Sequence, residues 1–578
     1  MTTDNFTHVE HAKLDSRHLA GDIAPTLRDT TTDGFSADDQ AVIKHHGIYQ
    51  QQNRDTRGKG GPDDKPPASF MVRTRIPGGV LTAAQYLAHD DLADTAGNGT
   101  LRITTRQGLQ LHGVPKGDLT ATVRAINDTL LTTLAACGDV VRNIILSPAP
   151  PRTEAEQQVL DLARELSVAT LPRTRAYHEI WINGEPREEL SPAEPPAEPL
   201  YGDRYLPRKF KIAMALPGDN STDVFAHDLG IVALIRRNTL EGFTLLVGGG
   251  LGMTHKKPDT FPRLADPFAT VAPGELIDTV LAIVRVFRDH GDRTNRKHAR
   301  LKYIIHEKGV QWLRDAVAAD LGRELAPPQP LPVLLPQLHL GWHRQADGRW
   351  FVGLFVENGR IRNSDESQFR SGLRAVIERV QPTVRLTPHQ DIVLADIADA
   401  DRAQVEDLLA AHGIRPADAY SKLRRHSMAC PALPTCGLAI TEAERQLPEV
   451  IDELEAELVR LDLADELITV RMTGCPNGCA RPYVADVGLV GRSLNKYTLF
   501  VGGRSDGTRL NQAYADLVPA DRIVSELRPL LELWRVGRLP GESFGDWSDR
   551  LGIEELQSRA AEWKRVGRNS GRAVAVGV

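Results

Sequence analysis

Apolar and polar residues alternate along two early stretches, "FMVRTRIPGGVL" (70–81) and "GTLRITTRQGLQLHGV" (99–114). A period of two sends successive side chains to opposite faces, so both stretches are predicted strands. "DLTATVRAINDTLLTTL" (118–134) spaces its apolar residues three and four apart and is a predicted amphipathic helix. Strand, helix, strand, helix is thus the order over 70–134. A related order returns later, with "RWFVGLFVENGRI" (349–361), a helical stretch at 369–380 and "TVRLTPHQDIVLADI" (383–397).

The second strands of the two sets match residue by residue. "LRITTRQGLQLHGV" (101–114) and "VRLTPHQDIVLADI" (384–397) share Arg, Thr and Gln at equivalent places and keep their apolar positions in register. Arg106 falls opposite His389, and Gln107 opposite Gln390. Because the element order repeats as well, the pattern predicts an internal duplication of an α+β unit. One copy is then free to keep function while the other drifts.

Three stretches break the pattern. Residues 1–64 read as a polar, irregular arm closing in the Gly/Pro loop "RDTRGKGGPDDKPP" (54–67). "NGEPREELSPAEPPAEPLYGD" (183–203) reads as a mobile surface loop within a domain, and "RNSGRAVAVGV" (568–578) as a loose tail.

A chain of 578 residues is too long for one core and implies three or four domains. Hydrophobic content of 41% and charged content of 25% place it among ordinary soluble globular proteins. No apolar run reaches the roughly 20 residues of a spanning helix. The opening "MTTDNFTHVEHAKLDSRHLAGD" has no apolar signal core, so a cytoplasmic location is expected. The net charge of −6 weighs against nucleic acid as a partner.

Four of the five cysteines fall between 430 and 479. Cys430 and Cys436 have five residues between them, and Cys475 and Cys479 have three. Structural zinc usually takes thiols separated by two to four residues, which the first pair does not meet. Proline and glycine beside the cysteines keep the backbone turned, so that amide N–H groups can point at sulfur as in an iron–sulfur site. The apolar positions Leu447, Val450, Ile451, Leu454 and Leu458 predict a helix after the first pair, and "VADVGLVGR" predicts a strand after the second. The residues alone leave a cubane cluster, zinc or four core thiols open, with the cluster favoured. Cys137, alone in "TLAACGDVV", reads as a small core residue.

"TGCPNGCARPYVADVGLVG" and "CPALPTCGLAITEAE" resemble the siroheme-dependent sulfite and nitrite reductases, nearest to the assimilatory sulfite-reducing branch. The resemblance runs through "HHGIYQQQNRD" (45–55), "FMVRTRIPGG", "RITTRQGLQLHG", "VRNIILSP" (141–148), "LPRTRAYHEIW" (171–181), "YLPRKFK" (205–211), "LLVGGGLG" (245–252) and "RTNRKHARLKY" (293–303). It implies a [4Fe–4S] cluster on Cys430, Cys436, Cys475 and Cys479, with Cys479 also ligating the siroheme iron. A shared thiolate would join the two cofactors electronically and push electron density onto the iron.

Sulfite is an anion whose oxygens leave as water, so fixed cations and proton donors are needed. By resemblance, Arg73, Arg142, Lys209 and Lys211 bind it, and Arg106, Gln110, His112 and Asn477 contact the macrocycle. Two apart on an extended segment, Lys209 and Lys211 point to one face. His389 opposite Arg106 fits a second copy that has lost its anion contact. The basic stretch "RTNRKHARLKY" is assigned to siroheme carboxylates. "VGGGLG" is not a phosphate-binding loop, since no Lys-Ser/Thr follows, and no nicotinamide or flavin fingerprint is found elsewhere.

Lys211, where nitrite reductases tend to carry Asn, favours sulfite. The implied reaction is the six-electron reduction of sulfite to sulfide. Nitrite reduction to ammonia is the alternative enzyme, and a non-catalytic electron-transfer protein the alternative of another class. "RIPGG" and "ATLPRTRAY" resemble the subunit that docks on an NADPH-dependent flavoprotein, the favoured donor, while "NRDTRG" and "CARPY" resemble ferredoxin-linked enzymes. The resemblance implies an α+β fold with pseudo-twofold symmetry. Ferredoxin-like half-domains (65–150 and 345–420) would follow the 1–64 arm and pair, α/β units (151–344 and 421–566) would complete the cradle, and 567–578 would form the tail.

Overall fold

The computed structural model describes residues 5–56, 67–183 and 198–570. The centre of the Pro/Glu-rich stretch (184–197), most of the Gly/Pro loop (57–66) and the end of the tail (571–578) lie outside the described residues. The chain forms two compact units, one of Met1–Gly250 with Arg263–Ala417, the other of Leu251–Pro262 with Asp418–Val578.

In the first unit, the segment expected to be an irregular arm is largely regular. Helices His8–Asp15, Ile23–Arg28 and Ala37–Val42 precede strand β1 (Ile48–Gln51). The first of them buries Glu10 and Lys13, joined by an ion pair at 2.5 Å. A buried face made of charges has no apolar periodicity to announce it.

Strands β2 (Ser69–Arg73), β3 (Val80–Leu81), β4 (Leu101–Ile103) and β5 (Leu109–Val114) follow, and the sheet runs β1-β2-β5-β4. β1 therefore belongs to the same sheet as the first predicted strands, pairing Tyr49 with Met71. Helix Ala83–Thr95 begins at a capping box: Thr82 accepts from the Gln85 amide, and the Gln85 side chain returns to the Thr82 amide. Next come β6 (Ile212–Ala215), β7 (Leu229–Arg236), β8 (Thr239–Val247) and β9 (Asp266–Val271), a sheet in that order with β6 and β7 parallel.

The second copy supplies β10 (Gly341–Arg344), β11 (Trp350–Leu354), β12 (Arg360–Ile361), β13 (Thr383–Leu386) and β14 (Ile392–Ile397). Its sheet runs β10-β11-β14-β13, the order of the first copy. The two copies exchange their shortest strands: β3 pairs with β13, and β12 pairs with β4. The exchange needs a glycine immediately before each short strand. Gly79 (φ +73°) would set a Cβ 2.6 Å from Leu386 O, and Gly359 (φ +75°) would set one 2.6 Å from Ile103 O. The fold is the duplicated α+β arrangement that the strand match predicts.

The second unit holds β15 (Ser427–Ala429), β16 (Val470–Thr473), β17 (Val487–Ser493), β18 (Lys496–Val501) and β19 (Gln512–Pro519), parallel through β17 and antiparallel beyond. Helix Leu447–Arg460 buries Leu447, Val450, Ile451, Leu454 and Leu458, the positions its spacing predicts. β16 to β19 repeat the pairing pattern of β6 to β9. Before each middle strand stands a left-handed residue, Asp223 (φ +50°) and Arg481 (φ +56°), opening a short turn. This second duplication was not expected from sequence, although "AHDLGIV" (226–232) and "VADVGLV" (484–490) carry its signal.

Candidate functional site

Within the first unit, strand register gathers the expected cations. Arg73 ends β2 directly opposite Gln110 on β5. With the Gln110 side-chain amide turned so that its oxygen faces the guanidinium, Arg73 Nε and Nη2 donate to Gln110 Oε1 at 3.1 and 2.5 Å, and Arg73 Nη1 donates to Cys137 Sγ at 3.0 Å. A guanidinium held on three of its nitrogens has one orientation. Cys137 is buried, as expected of a core residue, but it also lines this cluster. So does Tyr49, whose phenol is pushed up by burial and by Cys137.

Arg142 donates to Gly138 O at 3.3 and 3.2 Å. Burial opposes its charge, yet Tyr49, Cys137 and Asp139 hold it above the ordinary guanidinium value. The loop that carries it is stitched to 206–212, because Arg142 N donates to Phe210 O and Phe210 N to Val140 O. Phe210 is fully buried, which turns Lys209 and Lys211 on either side of it away from the core.

Each lysine has a nearby carboxylate that serves its neighbours. Asp228 accepts from Lys211 N at 2.9 Å and from two nitrogens of Arg300 at 2.8 Å each. Asp139, adjoining the Lys209 segment, accepts from Arg296 at 2.7 and 3.0 Å. The Lys209 ammonium makes no ion pair among the described residues. Burial, with Lys211, Arg142, Arg208 and Arg300 around it, holds Lys209 well below the ordinary lysine value. An anion beside this amine would offset the four cations and favour its protonated form.

His112, on β5, is buried; its Nδ1 lies 3.3 Å from Gln51 Oε1 and its Nε2 has no partner. Burial, then Arg360, Arg102 and Arg73, hold it neutral. An orphaned ring nitrogen beside cations fits a polar, carboxylate-bearing macrocycle. Arg106 also has a bracing role within the protein. It donates to Asn143 O and, at 2.9 Å, to Ile212 O, with His227 Nδ1 at 3.4 Å, and so braces the segments that carry Arg142 and Lys211.

The four clustered cysteines lie in the second unit. Cys430 directly follows β15, and Cys475 comes two residues after β16; the two strands are parallel, so both cysteines emerge at the same edge. Gly474 lets the two loops touch: its carbonyl accepts from Ile440 N and Thr441 N, and a Cβ there would sit 2.6 Å from the Ala432 Cβ. Gly474 N donates to Cys430 Sγ, a backbone N–H···S bond of the kind that the Pro/Gly context predicts, and the Asn477 side-chain Nδ2 donates to Cys475 Sγ, each at 3.4 Å.

Cys430 and Cys475 are buried, Cys436 half-buried and Cys479 exposed. Burial, then the charge of Cys479, pushes Cys475 up to about 12 and Cys430 well above the ordinary thiol value, with Cys436 adding to both. Buried thiols raised in this way become thiolates only with metal to offset the repulsion. Among the described residues no three His, Cys, Asp or Glu side chains group closely enough for a single metal ion. No described helix is long and apolar enough to cross a membrane.

Comparison with known proteins agrees with both halves of this picture. The family described as "Nitrite and sulphite reductase 4Fe-4S domain" matches residues 163–325 and 421–566. The "Nitrite/Sulfite reductase ferredoxin-like half domain" matches 63–128 and 343–412. The sulfite reductase (ferredoxin) of Synechococcus elongatus is 45% identical, over 96% of this chain and 90% of its own. The sulfite reductase (NADPH) hemoprotein beta-component of Chromohalobacter salexigens is also 45% identical, over 94% and 95%. Among solved structures, the Mycobacterium tuberculosis NirA protein superposes with a TM-score of 0.76 at 25% identity, covering 96% of this chain and 98% of its own.

Proposed function

The chain belongs to the nitrite and sulphite reductase family, and from that premise we propose how its residues divide the reduction of sulfite to sulfide. The protein is an assimilatory sulfite reductase that uses siroheme and a [4Fe–4S] cluster. When bound, these would pass six electrons from the donor to an iron at which sulfur–oxygen bonds are broken. The chain supplies charge, orientation and protons.

Arg73, Arg142, Lys209 and Lys211 bind the substrate anion. The observation that carries this reading is Lys209, an amine with Lys211, Arg142, Arg208 and Arg300 around it and no ion pair among the described residues. A sulfite oxygen beside it restores the missing negative charge, raises its proton affinity and keeps its proton in place until an oxygen departs as water. Arg73, fixed by Gln110 and Cys137, orients the anion without moving during the reaction. Cys430, Cys436, Cys475 and Cys479 would hold the cluster, and Cys479 would also hold the siroheme iron. Gln110, His112 and Asn477 contact the macrocycle, and Arg106 does so from its brace between the Arg142 and Lys211 segments. Half-domains at 65–150 and 345–420 and α/β units at 151–344 and 421–566 carry these sets.

The donor is an electron-transfer protein, and we assign it to an NADPH-dependent flavoprotein on the strength of the "RIPGG" and "ATLPRTRAY" stretches. Relatives of nearly equal similarity are named for ferredoxin and for NADPH, so timing sulfide release with each reduced donor decides between them. A cytoplasmic location follows from the donor.

Two measurements test the reading. The purified holoprotein should show siroheme absorption bands, and a protein without them would end the catalytic assignment. With reduced methyl viologen it should turn over sulfite at least as efficiently as nitrite. Nitrite turnover far more efficient than sulfite turnover would place the chain on the other branch of the family.

A further inference from the structure

Asp139 is none of the residues assigned to substrate or cofactor, yet charge converges on it. Its carboxylate is 2% exposed. Arg296 grips both oxygens at 2.7 and 3.0 Å, Lys13 Nζ stands at 3.6 Å and Arg208 Nη1 at 3.7 Å. Lys13 is shared with Glu10 at 2.5 Å, and Glu10 is held in turn by Arg293. The backbone of Asp139 is equally engaged. Its N–H donates to His45 Nε2 at 3.1 Å, and its carbonyl accepts from Leu206 N at 3.0 Å.

These contacts bear on the substrate cations from two directions. Arg208 immediately precedes Lys209, so an ion pair at Arg208 fixes the backbone from which Lys209 projects. Gly138, the residue before Asp139, supplies the carbonyl that Arg142 grips. Cys137, one residue earlier, receives Arg73. One buried carboxylate therefore anchors the loop that positions two cations and the arginine that positions a third.

We infer that Asp139 is a positioning residue for sulfite reduction: through Arg208 and the 137–142 loop it aims Lys209 at the substrate. The inference rests on the assignment of Lys209 as a sulfite ligand and proton donor. Asp139 itself touches no substrate and transfers no proton. Arg296, Lys13 and Arg208 hold its carboxyl well below the usual range against the pull of burial, so it stays ionised throughout the working pH range.

The neutral variant Asp139→Asn separates aiming from binding. Removing a negative charge makes the cradle more positive, so sulfite affinity is kept or improved, while a misdirected Lys209 slows proton delivery. The expected result is a kcat at least tenfold lower, with the sulfite KM and the sulfite-induced shift of the Soret band within twofold of the parent. Arg208→Gln cuts the same link and should reproduce the kcat loss. The double variant should be no slower than the slower single one, because both remove one interaction.

A parent-like kcat in Asp139→Asn at full siroheme content would overturn the inference, as would losses that multiply in the double variant. If Asp139→Asn loads siroheme poorly, Arg208→Gln decides alone, and a parent-like kcat there overturns it. Failure of the parent itself to reduce sulfite would instead sink the functional reading beneath it.

Discussion

Gln107 and Gln390 occupy the same turn in the two copies, both left-handed (φ +51° and +75°), but only Gln107 uses its side chain. The Gln107 amide nitrogen donates to Gly78 O, Leu146 O and Leu386 O, the last in the partner copy, and its oxygen accepts from Leu146 N. The turns are otherwise alike. Thr104 N donates to Gly108 O, and Thr387 N to Asp391 O, at 2.9 Å each. Gln390 is as buried as Gln107, yet neither polar atom of its side chain has a partner.

That asymmetry predicts opposite effects of one substitution. Gln107→Met keeps length and flexibility but strands several backbone groups, each costing ~1–3 kcal/mol when buried. Gln390→Met removes two polar atoms that bond nothing and should be neutral or stabilising. Urea unfolding of the two variants checks this, and equal destabilisation would refute it.

Acid should weaken the first unit in a defined window. His45 donates from Nδ1 to Val42 O and accepts Asp139 N at Nε2, while His46 donates to Leu19 O and accepts Trp181 Nε1. Protonation breaks one bond in each. Burial pushes His45 down to about 4 and His46 to about 3, despite Asp139 beside His45 and with Lys13 and Arg296 opposing protonation. An unfolded histidine titrates near ~6.5, so between that pH and about 4 the unfolded chain binds up to about two more protons than the folded one. Stability should fall as pH drops through that window, and the contribution of these residues should be flat above it. His46→Gln should remove about one proton from the slope of urea stability against pH. An unchanged slope would count against the burial argument.

How much of this was legible in the sequence depends on the kind of signal. The duplication was visible because Thr104, Arg106 and Gln107 align with Thr387, His389 and Gln390, and the turn geometry keeps Thr and Gln fixed. The cysteine loops were visible because glycine and proline have few backbone roles. The exchange of β3 and β12 was not: a two-residue strand has no period, and its partner lies hundreds of residues away. Helix His8–Asp15 was hidden because it buries Lys13 and Glu10. Cys137 was correctly read as buried, but no local pattern shows that Arg73 reaches it, or that Tyr49 and Asp139 stand beside it. Such residues acquire a role only through their neighbours in space.

Cys475 and Cys479 should differ in what their loss removes. Cys475 is buried and bonded to Asn477, whereas Cys479 is exposed and assigned to both cofactors. Cys479→Ser should lower cluster iron and alter the siroheme spectrum together. A variant that loses cluster iron while its siroheme bands remain those of the parent would remove Cys479 from the bridging role.

Lys209 sets function against stability, and the two can be read from one variant. Burial and four neighbouring cations lower its folded value, while in the unfolded chain it titrates as an ordinary lysine near ~10.5. Between those values the unfolded state holds the extra proton, so a lysine at this position destabilises the fold, and the deficit closes as pH rises toward ~10.5. Lys209→Met keeps the apolar stem and removes the charge. It should be more stable than the parent at pH 7, with the difference shrinking at pH 10. The same variant should raise the sulfite KM by about 10- to 100-fold, the loss of one or two strong charge contacts. Sulfite itself should stabilise the parent against urea, since an anion beside Lys209 offsets the repulsion, and should do so less in the variant. A less stable Lys209→Met protein at pH 7, or one whose sulfite KM is unchanged, would show that this ammonium already has its counter-charge and does not await the substrate.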